Sequence, residues 1–162
     1  MRSTRIVTFA VSLVLTSSVA LAQLGAKSSE QVSPKAGMPI FMPASSLQWT
    51  DLNPTGAPGV KIVDVWGDHA TSGYRSFLKF PAGFLSPLHT HTHDIKIVVI
   101  SGTYTQAPEG KETNRMGPGS YVFQPGGSYK HISGCDKASD CVLFIESTGP
   151  FDLLPVGGAA AK

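Results

Sequence analysis

The chain has 162 residues, with 13 Lys and Arg against 11 Asp and Glu, five histidines and two cysteines. That is one domain's worth of sequence, long enough to bury a real core. The near-neutral balance, with no basic cluster, gives no support for nucleic acid or an anionic membrane as partner.

Residues 1–22 read as a secretory signal peptide. Arg2 and Arg5 make the basic start, residues 6–15 the apolar stretch, and Ala20-Leu21-Ala22 the small-x-small cleavage site before Gln23. The apolar stretch is too short and wrongly flanked for a transmembrane span, and no later segment is long and apolar enough. The expected product is a secreted or periplasmic chain, cleaved after Ala22 and independent of the membrane. Loss of two arginines leaves 11 basic and 11 acidic side chains, a net charge of zero.

Residues 23–45 read as a flexible polar leader, ending in an edge strand at Ile40-Phe41-Met42. The packed domain is expected over 46–156, starting around Trp49, and 157–162 as a frayed tail. Residues 53–59 (NPTGAPG) are a turn. Residues 60–66 alternate, with Val60, Ile62, Asp64 and Trp66 on one face of a strand. His69 follows in a Gly/Asp/Ser turn and is taken as a solvated loop residue. Tyr74–Phe80 alternates as a second strand.

Residues 83–102, GFLSPLHTHTHDIKIVVISG, hold His89, His91 and His93 at alternate positions. In a strand these point to one face, and the row runs into the buried strand of Ile95, Ile97, Val98, Val99 and Ile100. Neutral imidazole is the commonest protein ligand for zinc, iron, nickel and copper, so the row invites a divalent metal. Residues 102–106 look like the return of a hairpin, 107–119 a long polar loop, 120–124 a strand, and 129–132 a strand carrying His131. Cys141–Ser147 is a core strand. Cys135 and Cys141, close in sequence in an exported chain, are expected as a disulfide worth about 2 kcal/mol for so short a loop. No segment keeps a helical period. Eight to ten short strands between Gly/Pro turns argue for an all-β sandwich or barrel.

Two segments carry a family resemblance. Gly83, five residues, His89-Thr90-His91 and the closing Gly102 match the first cupin motif; Gly119, five residues, Pro125-Gly126-Gly127 and His131 resemble the second. The chain therefore resembles the cupins, which implies a jelly-roll β-barrel with a metal in its mouth. The implied ligands are His89, His91 and His131, with His93 as a fourth, around one divalent ion (Zn, Fe, Ni, Mn or Cu). The family's glutamate falls at Ile95 or Lys96, so the site is either three histidines or one in which His93 or Asp94 substitutes. His131 also lies one residue later than the commonest spacing. The resemblance implies a homodimer paired through a sheet edge. It points to an enzyme on a small organic substrate, of oxygenase, isomerase or lyase type, or alternatively to a non-catalytic metal- or small-ligand-binding protein. The barrel mouth is expected to draw on residues 74–80 and 120–124, and Tyr74, Lys79, Tyr121 and Tyr129 are the side chains able to handle protons.

Overall fold

The computed structural model describes residues 37–52, 57 and 59–157. The expected signal peptide, residues 23–36 of the leader and residues 158–162 of the tail lie outside them. Eleven strands follow in order: β1 Thr50–Asp51, β2 Lys61–Gly67, β3 Tyr74–Phe80, β4 His89–Thr90, β5 Ile95–Ser101, β6 Tyr104–Pro108, β7 Asn114–Met116, β8 Tyr121–Gln124, β9 His131–Cys135, β10 Cys141–Ser147 and β11 Leu154–Pro155. Among the described residues there is no α-helix, only a 3-10 turn at Ala44–Ser46.

The strands form two antiparallel sheets, ordered β1-β2-β3-β10-β5-β8 and β11-β4-β9-β6-β7. Their apolar faces meet. Strict alternation puts Tyr74, Ser76, Leu78 and Phe80 of β3 inward, with Cys141, Leu143, Ile145 and Ser147 of β10 and Ile95, Ile97 and Val99 of β5 beside them. Each large apolar side chain taken from water in this way stabilises the fold by about 1.5–3 kcal/mol. The opposite face of the larger sheet carries a Phe77–Phe144 edge-to-face pair and a cross-strand row in which Glu146 accepts from Arg75 (2.7 Å) and Lys96 (2.9 Å).

The structure corrects several expectations. Ile40-Phe41-Met42 forms no strand; these residues are exposed and unpaired with either sheet. Trp66 does not share the face of Ile62 and Asp64. The β2–β3 register slips between Asp64 and Trp66, and this bulge turns Trp66 outward, where the Arg75 guanidinium lies 4.7 Å from its ring centroid. Residues 102–106 are not the return of a hairpin. After β5 the chain leaves its sheet, and β6 pairs with β7 and β9 in the other one. The crossing needs Gly102, whose φ is +76° and whose place would put a Cβ 2.5 Å from the Asp140 carbonyl oxygen. The polar loop after β6 contains β7. Cys135 and Cys141 are joined, Cα atoms 5.8 Å apart, so the disulfide ties β9 of one sheet to β10 of the other.

Candidate metal centre

His89 on β4 stands directly opposite His131 on β9, ring centroids 4.3 Å apart. His91, just beyond β4, completes a triangle at 4.8 Å from His89 and 5.4 Å from His131. All three are buried, and their ligand atoms lie within 4.8 Å of one another.

Each ring is fixed by its Nδ1. That nitrogen faces the Pro87 carbonyl in His89 (2.8 Å), the Asp152 carbonyl in His91 and the Tyr129 carbonyl in His131 (3.3 Å). A carbonyl only accepts, so Nδ1 carries the proton and Nε2 a bare lone pair in all three rings. His89 Nε2 and His91 Nε2 are 3.1 Å apart with no proton to share, and His131 Nε2 is buried without a hydrogen-bond partner. Three convergent lone pairs on neutral imidazoles fit a divalent cation, and the three carbonyls are the outer partners such ligands need. Burial holds all three histidines below their ordinary pKa. His91 and His131 are brought to about 4, with the nearness of His89 adding to the effect.

His93 does not join them. The strand stops after Thr90 because the Thr92 N–H and hydroxyl turn to the Asp152 carboxylate, while the His91 carbonyl accepts from Gly127 N–H (2.8 Å). The alternation ends there, and the His93 ring lies against Gly149. Asp94 is also turned away, accepting from the Gly126 N–H at 2.8 Å. Of the two residues at the place of the family's glutamate, Ile95 is buried in the wall of an adjoining cavity, and Lys96 is exposed and paired with Glu146.

That cavity, of about 50 Å³, is bordered by His89 and His91. Its apolar wall includes Leu78, Phe80, Ile97 and Phe151, and Ser86, Tyr104, Gln124 and Ser133 are its other polar groups. Tyr104, on β6, shares a hydrogen bond with Ser133 (3.0 Å), and burial pushes its hydroxyl up to about 12. Gln106 donates to Gln124 at 2.6 Å. Of the side chains expected to handle protons, Tyr121 is exposed and Lys79 lies over the Trp49 ring, 4.5 Å from its centroid; neither lines the cavity. Tyr129 stacks on His131 at 5.1 Å. Tyr74 is fully buried with an unpartnered hydroxyl, raised by burial and by the charges of Asp64 and Asp152. His69 is no solvated loop residue: its Nδ1 is 2.8 Å from Asp64, which also accepts from Ser76 (2.6 Å). Burial would raise Asp64, but these hydrogen bonds and the His69 charge outweigh it and leave the carboxyl lowered. Sequence reasoning missed Tyr104 and Gln106, although their alternation on one strand face was a usable signal. It also missed Asp152, for which there was none.

Residues 41–162 match the family described as Domain of unknown function (DUF4437). The chain belongs to that family. No curated protein matches the sequence. Among solved structures, the DUF4437 chain is similar to the polyketide cyclase RemF from Streptomyces resistomycificus, at 18% identity and a TM-score of 0.63, covering 76% of this chain and 89% of that one. KdgF from Halomonas sp. is 24% identical with a TM-score of 0.52, covering 67% and 94%. An RmlC-like cupin protein from Ralstonia eutropha JMP134 is 18% identical with a TM-score of 0.58, covering 74% of each chain. The DUF4437 fold seen here is the cupin-type jelly roll that these structures share.

Proposed function

We propose that the protein is an exported, metal-dependent cupin enzyme acting on a small organic substrate, with one divalent ion held by Nε2 of His89, His91 and His131. The observation that carries this reading is the convergence of three bare Nε2 atoms, one of them buried and unpartnered. A bound ion would supply Lewis-acid polarisation of a substrate oxygen. The protein's own groups do the rest. Main-chain carbonyls hold the rings in register, Phe151 packs on His91 at 5.4 Å and limits water there, and Tyr104, kept protonated and engaged with Ser133, borders the cavity without serving as a base. A polyketide cyclase is among the similar structures, and cyclisation, isomerisation or elimination on a small oxygenated molecule suits such a site. The Cys135–Cys141 disulfide supports export into an oxidising compartment, with cleavage after Ala22.

The test is elemental analysis of untagged residues 23–162 beside a His89→Ala/His91→Ala double variant. About one ion per chain, lost in the variant, is expected; no ion in either protein, before or after soaking, overturns the reading. One observation favours a second reading, a binding protein without turnover: Ile95 leaves the site without the carboxylate expected from the first motif. A metal-loaded protein inert toward lyase, isomerase and oxygen-uptake screens would select it.

A further inference from the structure

The cavity beside the histidines has an unusual charge pattern. Among the described residues that line it there is no Lys, Arg, Asp or Glu. Ile95 fills the place where a carboxylate would have cancelled part of an ion's charge, and its neighbour across the β5–β8 ladder is Gln124. Gln124 is 2% exposed and borders the same cavity. Its carbonyl is occupied by the Gln106 amide at 2.6 Å, which leaves Gln124 with its own amide hydrogens to offer a ligand. Ser86 is likewise committed. Its hydroxyl donates to the Pro87 carbonyl at 3.0 Å and accepts from the Ser133 N–H at 2.9 Å. Tyr104 and Ser133 are engaged with each other.

Three neutral imidazoles bring no negative charge to a divalent ion, and the Asp152 carboxylate, behind the His91 ring at 3.9 Å from its Nδ1, does not line the cavity, so the loaded site would present a net positive charge to a low-dielectric wall. Such a charge calls for an anionic oxygen. The remainder of the cavity offers no counter-ion for a second charge of either sign, and a charge left unpaired in an apolar wall is strongly disfavoured.

We infer that the site takes a small monoanion, or an acid that ionises on binding, whose charge sits at one oxygen-bearing end and whose remainder is uncharged and apolar. The anionic end rests on the metal reading above; the apolar remainder rests on the cavity alone. Dicarboxylates, zwitterions and amines are excluded by the same wall.

A matched four-carbon series tests it: butyrate, succinate, 4-aminobutyrate and 1-butanol, titrated by calorimetry into wild-type protein loaded with cobalt(II), with metal content measured on each sample. Butyrate is expected to bind, and the other three each to bind at least about tenfold more weakly. Succinate or 4-aminobutyrate within threefold of butyrate overturns the apolar remainder. Butanol within threefold of butyrate, or no butyrate binding to loaded protein, overturns the anionic end. A protein that takes up no cobalt overturns the ion site and the anionic end with it; in that sample butanol must still bind more tightly than 4-aminobutyrate, or the apolar remainder falls as well.

Discussion

Each imidazole of the triad is oriented by a main-chain carbonyl, and His91 depends on the most distant one in sequence. Asp152 offers its carbonyl to His91 and its carboxylate to Thr92. Asp152→Ala keeps the carbonyl but releases Thr92, so the carbonyl is no longer held in place. The expected result is a roughly tenfold loss of metal affinity in chelator competition, with little change in stability. The metal-free chain should also be acid-sensitive in a defined window. Unfolded histidine titrates near 6.5, whereas folded His91 and His131 hold out to about 4. Between these values the unfolded chain binds more protons. Stability is therefore full above about pH 6.5, declines on acidification and levels off below about pH 4, by at most on the order of 3 kcal/mol per imidazole. Urea midpoints at pH 7, 5.5 and 4 check this, and His131→Ala should flatten the slope. At this scale the spacing of residues 89, 91 and 131 was readable, because the period of a strand and the glycines around it are local. That His93 leaves the row was not, because its cause is a carboxylate 60 residues away.

The strands themselves were largely visible. β3 and β10 have the bounds their alternation predicts, since a half-buried strand writes its two faces into the sequence. Their partners were hidden. Residues after Gly102 carry the β-branched and aromatic composition of a returning strand, yet the same composition suits a strand that crosses to the other sheet, and only the close approach to Asp140 shows which. Gly102→Ala should cost about 1–3 kcal/mol, read as a lowered urea midpoint, through the enforced positive φ and the clash. β9 holds His131 at one end and Cys135 at the other, roughly 13 Å along the strand. Replacing both cysteines by serine should lower stability by about 2 kcal/mol while metal content stays unchanged, because the staple and the ligand occupy opposite ends of the strand.

The whole molecule is two sheets pressed together, and its stability rests on the shared interior. Leu143, fully buried in β10, is central to it, and Leu143→Ala should cost about 2–5 kcal/mol by chemical denaturation. An all-β sandwich or barrel was legible from short strands and turn residues, and the jelly roll from the resemblance of the two histidine motifs. The sheet assignments and the Gln106–Gln124 pair were not, since that pair joins β6 of one sheet to β8 of the other and meets only once both are assembled. One feature of this assembly reaches beyond stability. His89 and His131 lie on paired strands of the five-stranded sheet, whereas Leu78, Phe80, Ile95, Ile97, Leu143 and Ile145 of the cavity wall belong to the six-stranded one. On the proposed reading, the ligands would sit on one sheet and most of the apolar wall on the other, so exchanging inward side chains of β3, β5 and β10 would change which molecule fits without re-aiming a single imidazole.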